Sequence, residues 1–417
     1  MLFSSTDNRS PESVESRRVV VTGCGLATAL GNTWEANVQG FREGRSAFRT
    51  VRKFNVDRQR SKVAAEVDLP GEFLFPGVSE RDLRRTDHGA RMLLWAGQQC
   101  IAQAGWSRGS EAPLVFGTTS GGMLLGQEYY RKVIANPSSR RTQSERSIYY
   151  QAQRQVTLLK QAHGLIGSAL VVANACSSGA NAIGLAWQMV RFGEAERALC
   201  GGYDALCELV FAGFDSLQAL SPTVCRPFDE HRDGLALGEG AAVFAIETLE
   251  SAKARGATIL GEICGYASGT DCHHLTQPHP HGLAAVDTMT RACAVAGLSP
   301  GEIQYVNAHG TGTPLNDASE AEAINRWAGN TVGDLGVSST KASVGHLLGA
   351  AGAVEVAVCL MALQGQWLPP TRTCRKPDPA CRFRLITEPE TASLNHVITN
   401  SFGFGGANAS LVLGGGE

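Results

Sequence analysis

The sequence lacks the features that mark several classes of protein. Its 12 cysteines form no Cys-x-x-Cys pair, so zinc-finger spacing is absent. No basic region followed by an apolar run opens the chain, and no run of about 20 apolar residues occurs, which argues against a signal peptide and a membrane span. The formal net charge is only −2, so nothing global favours nucleic acid or a membrane surface. A reducing cytoplasm is the expected location.

The composition favours a large folded core. The chain has 417 residues, of which 43% are hydrophobic, and this length suits two domains or one large duplicated core. The 48 glycines predict many tight turns and close backbone approaches. Residues 1–17 are polar and are expected to be disordered. Most cysteines lie within apolar runs, where buried, unreactive thiols are expected.

Short β-branched runs alternate with Ala-rich, helix-like runs along the rest of the chain. Residues 169–173 have the pattern of a strand that leads into a helix. A similar series begins again at residue 259 and passes through strands at 303–306 and 409–413. Alternating strands and helices predict a layered α/β fold. The two series suggest an internal duplication with a seam near residues 250–260.

Cys176 stands where an apolar strand meets a Ser-Ser-Gly turn and a helix-like run. The stretch 171–184 reads VVANACSSGANAIG. A turn residue at a helix N-terminus faces free backbone N–H groups and the positive end of the helix dipole, which both favour an anion. Such a site is expected to lower the thiol pKa and so to favour the nucleophilic thiolate. Taken alone, this stretch fits a structural cysteine about equally well.

His309 follows a predicted strand directly, in the stretch NAHGTGTPLND over residues 307–317. This position places the histidine on a loop that faces a site. Thr311 and Thr313 alternate, so both hydroxyls are expected to face one way and to bind an extended, amide-bearing ligand. A histidine satisfied within a surface turn is the alternative interpretation.

His346 precedes an Ala- and Gly-rich helix in the stretch SSTKASVGHLLGAAG over residues 338–352. Lys341 lies five residues before it, and Glu355 lies nine residues after it, within the helix. A helix-start histidine beside a solvated lysine is the plainer interpretation. A last stretch, NSFGFGGAN over residues 400–408, is rich in glycine, so its backbone can approach a ligand and donate N–H groups.

Together with RPFDEHRDGLALGEG over residues 226–240, these four stretches resemble the elongating β-ketoacyl-acyl carrier protein synthases of the thiolase-like superfamily. The resemblance implies a five-layered αβαβα fold of two similar halves. The half with the nucleophile is expected over residues 18–257, and the half with the two histidines over residues 258–417. The implied activity is decarboxylative condensation of a malonyl thioester with an acyl chain held on the cysteine.

The resemblance also implies roles for individual residues. Cys176 is implied as the acyl-accepting nucleophile, and His309 and His346 as the pair that acts on the malonyl thioester, supported by Lys341 and Glu355. The expected substrate-binding residues are Thr311, Thr313, Phe402, Ser120 and His274. The backbone N–H groups of Cys176 and Phe404 are implied as an oxyanion hole, and the Phe404 ring as a gate beside the nucleophile.

The implied partners are an acyl carrier protein and a second subunit. The substrates are expected on the phosphopantetheine of the carrier, with no cofactor or metal of the protein's own. A homodimer or a heterodimer with a chain-length-factor-like subunit is expected, with neither nucleic acid nor membrane as a partner. An acidic carrier is expected to dock on basic surface residues, namely Arg52, Lys53, Arg58, Arg60, Lys62, Arg131 and Lys132. Fatty acid, polyketide and aryl polyene synthesis are candidate pathways, and a scaffold or partner subunit without condensing activity is the alternative function.

Three stretches depart from the family pattern. Ser120, in GTTSGG over residues 117–122, stands where related enzymes carry a pocket-limiting side chain and is expected to leave a deeper pocket. The loop DCHHLTQP over residues 271–278 is unusually rich in histidine and is not expected to bind a metal. The segment SIYYQAQRQV over residues 147–156 is unusually polar. In one interpretation, the segment is exposed to solvent or forms a dimer contact. In the other, it shapes a pocket for an unusual acyl chain or an interface for a non-identical partner.

Overall fold

Most strands join one large mixed sheet. The computed structural model describes residues 17–71, 75, 77–138 and 147–416, so the segment that was expected to be disordered lies outside the described residues except for Arg17. The strands are β1 (Val19–Ala27), β2 (Arg49–Thr50), β3 (Val63–Ala64), β4 (Leu114–Gly117), β5 (Ala169–Val172), β6 (Arg197–Asp204), β7 (Gly240–Thr248), β8 (Gly261–Thr270), β9 (Tyr305–Asn307), β10 (Gly336–Ser338), β11 (Trp367–Leu368), β12 (Arg384–Leu385), β13 (Glu390–Thr391), β14 (His396–Gly403) and β15 (Ala407–Gly414).

Helices connect these strands and cover both faces of the sheet. They are α1 (Trp34–Arg42), α2 (Glu80–Arg84), α3 (His88–Ala104), α4 (Met123–Ala135), α5 (Ser147–Tyr150), α6 (Ala152–His163), α7 (Ser178–Arg191), α8 (Glu208–Ser216), α9 (Leu249–Ala254), α10 (Leu283–Ala296), α11 (Pro314–Ala328), α12 (Lys341–Val344) and α13 (Ala351–Gly365). Short 3-10 turns lie at Ala175–Ser177, Pro300–Glu302, Gly329–Thr331, Leu348–Ala350 and Phe404–Gly406.

Strand order and direction repeat between the two halves of the chain. In the first half, β5, β4 and β6 are parallel neighbours, and antiparallel β7 and β1 follow. In the second half, β10, β9 and β14 are parallel neighbours, and antiparallel β15 and β8 follow. The halves meet where β1 pairs with β8 through Val20 and Val21. This repeat confirms the predicted duplicated α/β fold. Residues 257 and 258, where the boundary between the halves was expected, lie in the link between α9 and β8.

The helices and the two halves of the sheet form five layers. Helices α3 and α6 pack on the outer face of the first half, and α10 and α11 lie on the outer side of the second half. Helices α7 and α13 lie between the halves and contact strands of both. The layer order is therefore the expected αβαβα.

The central helix α13 explains an apolar stretch that resembles a membrane span. Residues Leu348–Gly365 are long and apolar enough to cross a membrane by length and composition. However, 89% of this stretch is buried inside the protein, and residues 351–363 are all buried. A helix surrounded by protein is apolar on every side, because each face packs against a core.

The strand directions bring the predicted motifs together. Because β9, β10 and β14 are parallel neighbours, their C-terminal ends lie at one edge of the sheet. His309, Lys341 and Phe404 follow these three ends within a few residues. Cys176 follows the end of β5 in the other half, at the start of the central helix α7. The site is therefore expected between the halves.

Candidate active site

The turn that carries Cys176 is tight and strained. Ala175, the residue before it, has φ of 56°, a left-handed conformation that non-glycine residues rarely adopt. The Ser178 hydroxyl donates to the Ala175 carbonyl oxygen at 2.6 Å, and the Asn174 N–H donates to the Ser178 hydroxyl oxygen at 2.9 Å. Small side chains after Cys176 thus stabilise a turn that holds the sulfur at the N-terminus of α7.

The protonation state of Cys176 differs from the sequence-based expectation. Burial raises the pKa of this thiol to about 12, because the thiolate loses its water shell. Lys341 lowers the pKa, Asp204 raises it, and the backbone N–H groups of Phe404 and of Cys176 itself lower it. The prediction of a lowered pKa was wrong, because desolvation outweighs the favourable charges and donors. The resting nucleophile is therefore a thiol.

The glycine-rich loop after β14 lies directly against the nucleophile turn. A Cβ atom on Gly403 would lie 3.2 Å from the Cys176 backbone nitrogen, so the backbones approach at this point as closely as glycine permits. The Ser177 hydroxyl donates to the carbonyl oxygens of Ser401 and Ala407 and holds the two segments together. The N–H groups of Phe404 and Cys176 both interact with the sulfur. Their role as an oxyanion hole stays a prediction.

His309 and His346 lie side by side with their ring centroids 5.2 Å apart. The backbone N–H of Leu348 donates to His346 Nδ1 at 3.1 Å. Lys341 Nζ lies 3.4 Å from His309 Nδ1 and acts as the donor, since a lysine ammonium group has no acceptor. With Nδ1 accepting in both rings, each histidine carries its proton on Nε2.

Both histidines are neutral near pH 7. Burial holds the pKa of His309 well below its usual value, and the positive charge of Lys341 and the neighbouring His346 lower it further. Burial and Lys341 lower the pKa of His346 in the same direction. Two neutral rings with Nε2–H groups are hydrogen-bond donors without a positive charge, which supports the predicted role of the pair.

Lys341 and Glu355 form a buried ion pair behind the histidines. Both side chains are almost fully shielded from solvent, and Glu355 projects from the central helix α13. Burial raises the pKa of Glu355, although Lys341 opposes that shift. The pair does not line the cavity described below. Its effect on substrate must therefore pass through the histidines.

Two carboxylates that the sequence analysis missed hold the His309 loop. Glu320 accepts hydrogen bonds from the backbone N–H groups of His309 at 2.8 Å and Gly310 at 2.7 Å, and burial raises its pKa to about 7. Asp317 accepts from the Gly312 N–H at 3.1 Å. Both residues lie on α11, three positions apart, so they share one helix face. That spacing was the available sequence signal.

One cavity of about 400 Å³ collects most of the predicted site residues. Cys176, His309, His346, Phe402, Phe404, Thr311, Thr313 and His274 all line it. The Thr311 and Thr313 hydroxyls lie 2.8 Å apart on one wall. The cavity thus joins the nucleophile of the first half to the histidines of the second.

Ser120 does not line this cavity. Its side chain is buried, and its hydroxyl and backbone N–H both donate to Asp204. The hydroxyl is therefore bound to a carboxylate instead of bordering open space, and the deeper pocket predicted there stays a prediction.

The polar segment 147–156 is only in part bound within the protein, since Ile148 and Tyr150 are exposed. The Tyr149 hydroxyl donates to Asp82 at 2.5 Å, and the Gln155 amide donates to Asp87 at 3.0 Å. Both Tyr149 and Gln155 are buried, so solvent exposure does not account for these two side chains.

Phe404 lies at the surface of the cavity with 39% of its area exposed. Its ring stacks on Phe214 with centroids 5.8 Å apart. Gly405 and Gly406 follow it with φ of 82° and 81°, which side chains rarely adopt. Glycines at these positions suit a movable ring, and the gating role stays a prediction.

Several of the basic residues expected to bind a carrier already have partners within the chain. Lys53 pairs with buried Glu239, and Arg131 pairs with Glu208. Lys62 donates to two backbone carbonyl oxygens. A carrier that used these three residues would compete with existing interactions, and their docking role stays a prediction.

The comparisons with known proteins agree with this geometry. The models "Beta-ketoacyl synthase, N-terminal domain" and "Beta-ketoacyl synthase, C-terminal domain" match residues 16–252 and 260–375. The chain is 36% identical over 413 residues to 3-oxoacyl-acyl-carrier-protein synthase 2 of Synechocystis sp., which covers 96% of this chain and 98% of the relative.

Two solved structures have the same fold over nearly the whole chain. One, described as the ishigamide ketosynthase/chain length factor, has a TM-score of 0.90 at 31% identity and covers 96% of this chain and 100% of that chain. The other, a type II polyketide acyl carrier protein in complex with its ketosynthase bound to the hexaketide, has a TM-score of 0.87 at 25% identity with the same coverage. The resemblance seen in the motifs is thereby confirmed, and the chain belongs to the β-ketoacyl synthase family.

Proposed function

We propose that the chain catalyses decarboxylative condensation of malonyl-acyl carrier protein with an acyl chain held as a thioester on Cys176. The observation that carries this proposal is the cavity in which Cys176 meets two neutral histidines, each with its proton on Nε2. A nucleophile alone suits many acyl transfers. The added pair of uncharged donors suits a reaction that develops negative charge on a second thioester.

In the first half-reaction, Cys176 takes the acyl group from a carrier thioester. Its sulfur forms a bond to the acyl carbon, and the bond from that carbon to the carrier sulfur breaks. The carrier thiolate takes up the proton that Cys176 loses. The negative oxygen of the tetrahedral intermediate accepts hydrogen bonds from the N–H groups of Cys176 and Phe404. Each such donor typically lowers the barrier by about 3 kcal/mol.

In the second half-reaction, the malonyl thioester oxygen accepts hydrogen bonds from Nε2–H of His309 and His346. Loss of CO₂ leaves an enolate on that oxygen. The enolate carbon attacks the acyl carbonyl, and the bond to Cys176 breaks with its electron pair on the sulfur, which takes up a proton from water. A β-ketoacyl thioester two carbons longer remains on the carrier. Lys341 keeps the proton of His309 on Nε2 by donating to Nδ1, and Glu355 balances the lysine charge.

The cavity walls suit a pantetheine arm, so the substrates are carried on phosphopantetheine and the protein supplies no cofactor of its own. Thr311 and Thr313 present hydroxyls to the amides of the arm. Three leucines, Leu217, Leu275 and Leu315, line the cavity with 60%, 73% and 56% of their area exposed. This apolar rim suits contact with a carrier protein whose arm enters the cavity.

The free edge of β5 suits a second subunit of the same fold. Among the described strands, β5 ends the large sheet, and the edge of a sheet is open to pairing with another strand. Leu170 on β5 and nearby Ile166 are exposed at 42% and 56%. A homodimer or a heterodimer with a chain-length-factor-like subunit would cover them. The 12 free cysteines suit a reducing cytoplasm. The proposed pathway is fatty acid, polyketide or aryl polyene synthesis.

Mass spectrometry of Cys176 after incubation with acyl carrier thioesters tests this function. We expect the acyl mass on the peptide that contains Cys176, and its loss with release of β-ketoacyl product when malonyl-acyl carrier protein is added. A chain that never takes an acyl group, while folded and supplied with carrier, would support the scaffold alternative instead.

A further inference from the structure

The buried carboxylate of Asp204, at the end of β6, accepts five hydrogen bonds. Its Oδ1 accepts from the Thr118 hydroxyl at 2.8 Å, the Ser120 N–H at 2.8 Å and the Ser120 hydroxyl at 2.5 Å. Its Oδ2 accepts from the Thr119 N–H at 2.8 Å and the Gly349 N–H at 2.6 Å. Burial raises the pKa of Asp204, and the hydrogen bonds oppose that shift, because all five partners donate and an ionised carboxylate is an acceptor only.

These bonds connect three segments that surround the nucleophile. Thr119, held by Asp204, donates its hydroxyl to the Ala175 carbonyl oxygen at 3.1 Å. Ala175 is the strained residue directly before Cys176. Gly349 lies in the turn that follows His346. One carboxylate therefore links the loop after β4, the nucleophile turn and the turn after the second histidine.

The charge of Asp204 also acts on the sulfur. Asp204 raises the pKa of Cys176, whereas Lys341 lowers it. Two buried side chains of opposite charge thus shift the pKa of the thiol in opposite directions. Lys341 is balanced by Glu355, but Asp204 accepts only from neutral donors, so its charge is not cancelled by a nearby cation among these partners.

We propose that Asp204 is a positioning residue for the condensation, which holds the nucleophile turn in register with the His346 turn and places its negative charge next to the nucleophile turn, one side chain away from Ala175. The role in condensation rests on the proposed function. The effect on the thiol does not, since its reactivity is measurable without any acyl substrate.

The test is Asp204→Asn in the full chain. The amide has the same shape but no charge, and its NH₂ group faces N–H donors, so at least one hydrogen bond is lost. Alkylation of Cys176 by iodoacetamide is followed across pH by mass spectrometry of its peptide. We expect the midpoint to move to lower pH and the rate near pH 8 to rise roughly threefold to tenfold, because a nearby like charge has been removed. Condensation kcat is expected to fall at least tenfold.

The matched control is Asp229→Asn. Asp229 is equally buried and accepts backbone N–H groups from His231, Arg375 and Lys376, at 2.7–2.9 Å. It binds none of the partners of Asp204 and is not among the main groups that shift the pKa of Cys176. Asp229→Asn is expected to lose about as much stability as Asp204→Asn, while the alkylation midpoint of Cys176 stays at the wild-type value.

A folded Asp204→Asn protein with the wild-type alkylation profile would overturn the charge part of the proposal. Thr119→Val tests whether the nucleophile turn is held in register, and it does so even if Asp204→Asn does not fold. It removes the bond to Ala175 and keeps the charge, so kcat should fall while the alkylation midpoint stays. An unchanged kcat would overturn that part. If the wild type itself does not condense, the proposed function fails and the alkylation result still decides the effect of Asp204 on the thiol.

Discussion

Replacing Glu355 with Gln isolates the effect of the buried ion pair on the histidine that it supports. Gln has the same shape as Glu but no charge, so Lys341 would be left with no counter-ion in a site that excludes water. Breaking a buried pair in this way typically costs about 3–5 kcal/mol. That is a large share of the total stability of a folded domain, roughly 5–15 kcal/mol.

The same change has a catalytic consequence. Without its partner, the Lys341 ammonium group is no longer held against His309, so it stops donating to Nδ1. The histidine proton then moves from Nε2 to Nδ1, and one donor to the malonyl thioester oxygen is lost. Loss of such a donor costs about 100-fold in rate. We expect malonyl decarboxylation to fall by that factor while Cys176 still takes an acyl group.

Urea denaturation measures the first effect, and CO₂ release from malonyl thioester measures the second. The control is Glu322→Gln, which breaks an exposed pair with Arg326 and should cost at most about 0.5 kcal/mol. The double change Lys341→Met with Glu355→Met replaces the pair by apolar groups and should recover most of the lost stability. If Glu355→Gln costs no more than Glu322→Gln, the argument from burial is refuted.

Further predictions concern the nucleophile, acid stability and docking. Cys176→Gln should accept no acyl group in mass spectrometry yet still release CO₂ from malonyl thioester, and acylation elsewhere with full condensation would contradict its role. Because burial lowers the pKa of His309 and His346, the unfolded chain binds protons that the folded protein does not below about pH 6.5. Stability should therefore fall with pH below that value, by up to about 1.4 kcal/mol per pH unit for each histidine. His309→Asn should reduce the slope of the free energy of unfolding against pH by the contribution of one histidine, as measured by urea denaturation at several pH values. An unchanged slope would contradict the lowered pKa of His309. Leu275→Glu should raise KM for carrier-bound substrate but not for pantetheine thioesters, and an equal change for both would refute docking at the apolar rim.

The positions of the main site residues could be predicted because their signals are local. Cys176 stands in a strand–turn–helix sequence, and His309 follows a strand and precedes small residues, so nearby residues decide their placement. The strand directions then bring the two together, and repeated strand–helix units are visible in the sequence as periodic runs. Thr311 and Thr313 were expected from their alternation and Phe402, Phe404 and His274 from the family resemblance, and all five line one cavity.

The sequence by itself thus indicated most residues of the cavity, but their chemical state and supporting contacts depended on the tertiary structure. The sequence favoured a lowered pKa for Cys176 because the helix N-terminus is local, whereas burial, which raises the pKa, comes from segments far along the chain. Asp204 and Gly349 are 145 residues apart, and no local pattern indicates their hydrogen bond. Ser120 was expected to leave open pocket space, and only the tertiary structure brings Asp204 to its hydroxyl. Desolvation and hydrogen-bond partners are properties of the packed protein, because they depend on which distant side chains surround a group after folding.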